Sequence, residues 1–349
     1  MLYFSIWSEK VQDKGEDAPP TMLLDEHQKA GLMAVYDGMG GAGAKEYTLP
    51  TGEGFASGTV TGAYLAAHLA KQTLEEVFSQ EASYEEIFQQ VDVAETLMNS
   101  FQTQVVLWDT QPSKIKSKLI KRLPTTLAGV FFKESMQEEA LSCEVQAFWA
   151  GDSRAYVLNS EGLLQLSQDD LQEAPDALEN LLHDGIMSNC INADTPFTVH
   201  TTSSQFTTPL LLITATDGCF NYLPSPAHFE YLILSCLYHP KTCTLHNWQQ
   251  RLTQKIIQIT GDDASLGLVA LGFEKDLMAI KLHFINRFQQ LKFKFIDPIN
   301  QLEHQISFLK GQETEIKATL EVVLRKRNML REKLWQEYKK LYEYKNESE

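Results

Sequence analysis

The sequence predicts an α+β fold in which two sheets are flanked by helices. Short apolar runs rich in β-forming residues dominate both ends of the first 273 residues, whereas two stretches between them, 59–78 and 84–108, repeat apolar residues at helical spacing. This order favours two packed sheets over regular strand-helix alternation. The predicted strands are 31–36, 126–132, 144–150, 155–158, 210–215 and 265–271. Residues 168–209 are polar and lack a clear period, which predicts an irregular flap or small subdomain between two core strands.

Composition bounds the class of protein. The chain has 349 residues, 43% of them hydrophobic, so it can bury a full core, and a disordered or fibrous protein is excluded. The formal net charge of -16 argues against nucleic acid as a partner, since binding to a phosphate backbone requires a basic face. Residues 1–273 hold 15 Lys and Arg against 34 Asp and Glu, and residues 274–349 hold 15 against 12. Two domains are therefore expected, 1–273 and a helical extension, 274–349.

The distribution of cysteines and the N-terminal sequence indicate the cellular location of the protein. Five scattered cysteines, none in a Cys-x-x-Cys pair, suggest neither a disulfide framework nor a zinc site. The chain starts without the basic and apolar regions of a signal peptide, and no apolar run approaches the roughly 18 residues of a membrane span. We expect a cytoplasmic protein with no membrane span.

The extension carries a helical pattern. Residues 276–296 are amphipathic and are predicted to end at Asp297-Pro298, because proline disfavours helix at the residue before it. A heptad seam follows within 299–343 and predicts one helix on the order of 60 Å long, with Gly311 as its weakest interior point. The seam runs through Leu302, Ile306, Leu309, Glu313, Ile316, Leu320, Val323, Arg327, Leu330, Leu334, Glu337 and Leu341. A coiled-coil homodimer or partner helix and an antiparallel hairpin packed on its own domain both fit this pattern.

Acidic residues lie at the ends of the predicted strands. Asp37, Asp152 and Asp217 each follow a strand, and Asp262 and Asp263 precede one. A single such acid is usually a turn residue, but several that converge on one edge need cations to hold them together. Oxygen ligands without histidine or cysteine favour Mg²⁺ or Mn²⁺ over zinc.

One glycine pattern competes with this interpretation. Gly38, Gly40 and Gly43 satisfy the G-x-G-x-x-G pattern of dinucleotide-binding turns. The helix that such a turn needs is missing, since Pro50 and two more glycines follow, and Asp37 would direct a carboxylate at the pyrophosphate. The pattern is therefore not interpreted as a nucleotide site.

An ordered series of short motifs runs through the first 273 residues. The motifs are Glu16-Asp17-Ala18, VYDGMGG at 35–41, PTTLAGVFF at 124–132, AGDSRAYVL at 150–158, LLQLSQDD at 163–170, LLLITATDG at 210–218 and GDDASLGLVAL at 261–271. This series resembles the type 2C metal-dependent serine/threonine protein phosphatases, in the bacterial-like variant with DGMGG. Each motif alone is weak, but their order and spacing together are specific. The resemblance covers residues 1–273.

The resemblance implies a β-sandwich of two antiparallel sheets with a centre for two Mg²⁺ or Mn²⁺ ions at one end. By analogy Asp37 bridges both ions, the Gly38 carbonyl ligates one, and Asp217 and Asp262 complete the other, so that these three aspartates are the catalytic set. Glu16 and Asp17 match the early acidic pair, and Asp152 is expected at a third ion. Two ions roughly 4 Å apart would activate a water for attack on phosphoserine or phosphothreonine of a protein substrate.

Four positions depart from the family. Gln12 stands where an arginine usually clamps the substrate phosphate, and nearby Lys14 would be only a point charge in its place. Asn221 replaces an aspartate that helps hold the third ion, which leaves that ion open. Asp170 replaces a frequent histidine, and Met39 replaces a histidine thought to act as general acid in eukaryotic relatives. Two hypotheses follow, a phosphoprotein phosphatase and a weak or inactive pseudophosphatase that binds or regulates partners through its C-terminal coiled coil.

Overall fold

Two antiparallel five-stranded sheets pack face to face and confirm the predicted α+β sandwich. The computed structural model describes residues 1–48, 59–79, 92–108, 121–137, 140–172, 178, 186–310 and 317–342. The strands are β1 Leu2–Ser8, β2 Ala18–Asp25, β3 Ala30–Tyr36, β4 Glu46–Thr48, β5 Thr59–Thr61, β6 Leu127–Gln137, β7 Ala140–Ala150, β8 Arg154–Leu158, β9 Leu163–Gln165, β10 Leu171–Gln172, β11 Ile186–Met187, β12 His200–Thr207, β13 Leu210–Ala215 and β14 Ala264–Leu271. One sheet has the order β1-β14-β13-β8-β9 and the other the order β12-β7-β6-β3-β2.

The helices cover the outer faces of the sandwich. They are α1 Gly62–Ser79, α2 Val93–Trp108, α3 Pro226–Tyr238, α4 Leu245–Ile259, α5 Leu277–Gln290, α6 Asp297–Lys310 and α7 Lys317–Tyr342. Helices α1 and α2 pack on the β2-β3-β6-β7 sheet, and α3, α4 and α5 pack on the sheet that contains β1 and β14. Strands β3, β8, β13 and β14 are buried along their whole length, which explains their uninterrupted apolar sequences. No helix in the described ranges is both long and apolar enough for a bilayer crossing.

Part of the predicted flap is regular structure. Residues 200–207 form β12, an edge strand paired with β7. Its exposed and half-buried residues alternate because one face meets solvent, so its sequence is polar. Residues 173–177 and 179–185 of the predicted flap, and 84–91 of the second predicted helix, lie outside the described residues.

The prediction that a helix ends before Pro298 is wrong. Leu291–Ile296 is a π-helical segment that joins α5 directly to α6. The Asp297 N–H donates to the Lys292 carbonyl oxygen, five residues back. This longer repeat accommodates Pro298, which has no N–H to donate, so the chain stays helical.

The single helix predicted within 299–343 is also wrong, because α6 and α7 form an antiparallel hairpin. Arg327 Nη1 lies 2.9 Å from Glu303 Oε1, and Lys294 Nζ lies 2.7 Å from Glu337 Oε2. Residues 24 apart in one straight helix would be separated by about 36 Å. Gly311, Glu313 and Ile316 of the seam lie outside the described residues.

The hairpin packs on the phosphatase-like part of the chain. Leu334 and Tyr338 of α7 belong to the same buried cluster as Phe4 of β1 and Trp248 of α4. The Leu163 N–H of β9 donates to the Tyr338 hydroxyl oxygen over 3.2 Å. The domain boundary at 273 stays a prediction, but the extension contributes side chains to the core of the preceding residues.

Candidate active site

The predicted acidic residues meet in one cleft at an end of the sandwich. Strand pairing places the end of β3 beside the start of β6 and the end of β7, and the end of β13 beside the start of β14. The loops that carry the acids therefore share an edge. The cleft has a volume of about 530 Å³ and is lined by Glu16, Asp17, Asp37, Gly38, Met39, Gly40, Gly41, Ala42, Thr126, Asp152, Met187, Asp217, Asp262 and Asp263.

Asp37 is fixed through its backbone, directly after β3. Its carbonyl oxygen accepts hydrogen bonds from the Thr126 N–H (2.9 Å) and from Thr125 Oγ1 (2.7 Å). Its carboxyl shares a hydrogen bond with that of Asp217. Burial first, and then the charges of Asp17 and the other cleft acids, hold the pKa of Asp37 well above its usual range.

Asp217 begins a short 3₁₀ turn after β13. The side chain of Asn221 donates from Nδ2 to Asp217 Oδ2 over 2.8 Å, so the residue that departs from the family pattern holds a predicted metal ligand in place. Burial raises the pKa of Asp217, and hydrogen bonds from Asp37 and Asn221 oppose that rise. Nothing in the sequence alone indicates this contact.

The early acidic pair lines the same cleft. Asp17 is only 2% exposed and accepts a hydrogen bond from Thr216 Oγ1 (2.9 Å), whereas Glu16 accepts one from Thr61 Oγ1 (2.6 Å). Burial is the main cause that raises the pKa of both carboxyls, and the charge of Asp263 adds to it. Both residues thus line the same cleft as Asp37 and Asp217.

Asp152 lies in the tight turn between β7 and β8. Burial, followed by the charges of Asp217 and Asp169, raises the pKa of Asp152 to about 8. Gly151 precedes it with φ of +101°, a conformation that favours glycine. The Gly151 N–H donates to Asp170 Oδ2 over 2.9 Å, and Asn189 Nδ2 donates to the same oxygen over 2.7 Å. Asp170 therefore positions the Asp152 turn.

Asp262 and Asp263 lie side by side before β14 but make different contacts. Asp262 lines the cleft. The Asp263 carboxylate accepts the backbone N–H groups of Lys10 (2.7 Å) and Glu16 (2.6 Å), which ties the early acidic loop to this strand end. The sequence alone does not predict this role for Asp263, because its hydrogen-bond partners lie about 250 residues away along the chain.

Two glycines are required by the close approach of Glu16. A Cβ on Gly38 would lie 2.4 Å from the Glu16 carbonyl oxygen, and one on Gly40 would lie 1.9 Å from Glu16 Oε2. The G-x-G-x-x-G pattern therefore serves packing at the acidic cleft. The chain continues into β4, in agreement with the rejection of a dinucleotide site.

The structure does not bring the predicted substrate-binding pair into the cleft lining. Gln12 and Lys14 are exposed on the loop that follows β1. Among the described residues that line the cleft, none is lysine or arginine. The nearby Arg154 is buried and pairs with Asp169, with Nη2 2.6 Å from Oδ2. The cleft is thus an acidic site without a basic side chain of its own.

The donor atoms of the cleft suit a hard divalent cation. Carboxylate oxygens dominate the lining, and histidine and cysteine are absent from it. Like charges this close raise one another's pKa, and a bound cation removes that cost. Within the described ranges, no group of three or more His, Cys, Asp or Glu side chains already has the geometry of a metal site. The Asp37 and Asp217 carboxyls share a hydrogen bond instead, which a cation bound to both would replace.

Comparison with known proteins places the chain in a family. A family model described as Protein phosphatase 2C matches residues 12–252, more than half of the chain. No curated protein sequence matches. Similar solved structures include a bacterial serine phosphatase (19% identity, TM-score 0.54, 79% of this chain and 99% of that one) and the serine/threonine phosphatase Stp1 from Staphylococcus aureus (18%, 0.54, 77% and 94%). The S. agalactiae serine/threonine phosphatase is a third (15%, 0.52, 76% and 98%).

At these low sequence identities, the similarity to solved structures shows only a shared fold. The family assignment comes from the match of the sequence to the family model. The match includes the loops of Glu16, Asp37, Asp152 and Asp217, which the fold gathers into the acidic cleft. The chain belongs to the protein phosphatase 2C family.

Proposed function

We propose that the chain hydrolyses phosphoserine and phosphothreonine on protein substrates with the help of two Mg²⁺ or Mn²⁺ ions. The observation that supports this most strongly is the cleft lined by acidic side chains and by no lysine or arginine among the described residues. A phosphate group would be repelled there unless cations from solution reverse the local charge.

Named residues would hold the ions. We assign Asp37, the Gly38 carbonyl, Asp217 and Asp262 as ligands, with Glu16, Asp17 and Asp152 around them. When bound, the ions lower the pKa of a water molecule and offset charge on the phosphoryl oxygens. Whether a third ion binds beside Asp152 depends on Asn221, whose amide donates to Asp217 and offers no carboxylate.

Residues around the cleft hold these groups in position. Thr216 Oγ1 fixes Asp17, Thr61 Oγ1 fixes Glu16, and Asn221 Nδ2 fixes Asp217, so three ligand-bearing loops are held from outside the cleft. Met39 lines the cleft and has no proton to give, which leaves protonation of the leaving group to water or to a cleft acid. Gln12 and Lys14 are proposed to meet the substrate only at the outer edge.

Phosphate release from p-nitrophenyl phosphate and from phosphoserine and phosphothreonine peptides, with Mn²⁺ present, tests the proposal. We expect activity in the wild type and its loss in Asp37→Asn and Asp217→Asn. Glu161→Gln, which changes an exposed carboxylate, is the matched control. A wild type as inert as both cleft variants from pH 6 to 9 would overturn the enzyme proposal.

The exposed position of Gln12 favours a second candidate, a pseudophosphatase that keeps the fold and binds partners. This candidate predicts Mn²⁺ binding without hydrolysis of any phosphopeptide, and Gln12→Arg that fails to change activity would weaken it.

Pairing of 299–343 between chains and a cytoplasmic location stay predictions. One side of α7 already packs on its own chain through Leu334 and Tyr338.

A further inference from the structure

A second, smaller cavity lies on helix α7, among residues that the acidic cleft does not use. Its volume is about 160 Å³, and it is lined by Leu178, Arg327, Asn328, Arg331 and Glu332. Arg327 and Arg331 are one helical turn apart, so their side chains lie on the same face of α7. Leu178 belongs to the connection between β10 and β11.

Arg331 of the cavity lining and His228, which lies within reach of its charge, each have a buried nitrogen atom without a hydrogen-bond partner among the described residues. These atoms are Nε of Arg331 and Nε2 of His228. His228 lies in the first turn of α3, and its Nδ1 is 2.8 Å from Ser225 Oγ. If the Ser225 hydroxyl donates to Nδ1, then Nε2 carries the ring proton and is a hydrogen-bond donor. Buried polar groups are normally paired, so the Arg331 Nε–H of the cavity lining is a donor that an acceptor bound in the cavity would satisfy.

Arg331, unlike Arg327, has no ion-pair partner among the described residues. Arg327 Nη1 is paired with Glu303 Oε1 at 2.9 Å, whereas no carboxylate of the described residues lies within ion-pair distance of Arg331. Burial first, and then the charge of Arg327, lowers the pKa of Arg331. Burial, and then the charge of Arg331, lowers the pKa of His228 to about 4, so this ring is neutral at physiological pH. Among the described residues that line the cavity, two are arginines and one, Glu332, is an acid.

We propose that this cavity binds a phosphate group, with Arg331 and Arg327, which both line it, as the charged ligands. Guanidinium groups bind tetrahedral oxyanions through paired N–H donors, and an oxyanion would satisfy Arg331 Nε and relieve the repulsion between the two arginines. The volume of about 160 Å³ accommodates one phosphate group. The phosphate is either the free ion or part of a phosphorylated side chain.

Binding to the full-length protein in EDTA tests the proposal, because the cation-free acidic cleft repels phosphate. Isothermal titration with inorganic phosphate, against sodium chloride of matched ionic strength, should give one saturable site. Arg331→Gln should weaken binding by about tenfold or more, since a charge-assisted hydrogen bond is lost. Arg325→Gln is the matched control, because Arg325 lies on the same helix with its side chain 79% exposed. Equal phosphate binding by both variants and the wild type would overturn the proposal.

A measurement on the wild type removes dependence on the folding of the variants. In an NMR titration, the Arg331 Nε–H signal should shift as phosphate is added. No arginine signal shifting at saturating phosphate would contradict the proposal.

A phosphoserine tripeptide and its unphosphorylated form, titrated in the same way, distinguish the sources of the ligand. Binding of the ion alone supports free phosphate, and tighter binding of the phosphopeptide supports a phosphorylated partner. If neither inorganic phosphate nor the phosphopeptide binds, both forms of the proposal are wrong.

Discussion

The acidic cleft and the junction of helices α3, α5 and α7 both bury carboxyl groups, but they neutralise them differently. At the junction, Glu230 is fully buried and accepts hydrogen bonds from Arg287 Nε (2.5 Å), Arg287 Nη2 (2.7 Å) and the Tyr338 hydroxyl. In the cleft, Asp37 and Asp217 share a hydrogen bond and Asn221 donates to Asp217, but the described lining offers them no lysine or arginine. At the junction, the positive charge that balances Glu230 comes from Arg287 of the same chain. In the cleft, we propose that the balancing charge comes from cations in solution.

The largest effect is expected at the junction. Arg287→Met should lower the free energy of unfolding by about 3–5 kcal/mol, because it leaves the Glu230 charge buried without its partner. Chemical denaturation followed by circular dichroism measures this. The double variant Glu230→Gln, Arg287→Met should recover part of the loss, since it removes the unpaired charge. A single variant within about 1 kcal/mol of the wild type would contradict the claim that this pair must stay intact.

A smaller effect is expected from the hydroxyl that joins the hairpin to this junction. Tyr338→Phe removes the hydrogen bonds to Glu230 and from the Leu163 N–H, and we expect a loss of about 1–3 kcal/mol in the same denaturation measurement. Tyr3→Phe, which alters a hydroxyl on an exposed ring, should change little. If the two variants are equally stable, Tyr338 does not fasten the hairpin.

In the cleft, the effect of a supporting residue should be seen in cation binding. Asn221→Ala should weaken Mn²⁺ binding by about tenfold to a hundredfold, because Asp217 loses the donor that orients it. Calorimetry measures the affinity, and Asn286→Ala, an exposed site on α5, is the control. Unchanged affinity would show that Asp217 is positioned without Asn221.

The smallest change in stability is expected for Asp37→Asn in EDTA. Without a cation, the raised pKa of Asp37 favours its neutral form, which donates a hydrogen bond to Asp217, and the amide of asparagine can donate the same bond. We therefore expect thermal unfolding at the wild-type temperature or slightly above it. A marked loss of stability would mean that Asp37 supports the fold directly, as Arg287 does.

The strands that the sequence reveals are those with two buried faces. Strands β3, β8, β13 and β14 read as continuous apolar runs, so they could be predicted. Strands β1 and β12 lie at sheet edges and mix exposed with buried residues, which hides them among polar sequence. The heptad seam of the extension predicts an apolar helical face, but it does not specify whether the partner face belongs to the same chain.

The site was predictable to the extent that its residues carry local signals. Asp37 and Asp217 stand out because each follows an apolar strand and precedes a glycine. The contacts of Asn221 with Asp217, of Asp263 with the Glu16 N–H, and of Asp170 with the Gly151 N–H depend on how distant loops meet. Contacts between residues that are far apart in the sequence cannot be predicted from local spacing, so only the structure reveals these supporting residues.

The central claim is that the acidic cleft takes its counter-charge from solution, and Mn²⁺ titration calorimetry of the full-length protein tests it most directly. The account predicts that the wild type binds at least two ions and that Asp37→Asn and Asp217→Asn each lose this binding while remaining folded. Wild-type protein that binds no Mn²⁺, or binds it as well as both variants do, would contradict the account.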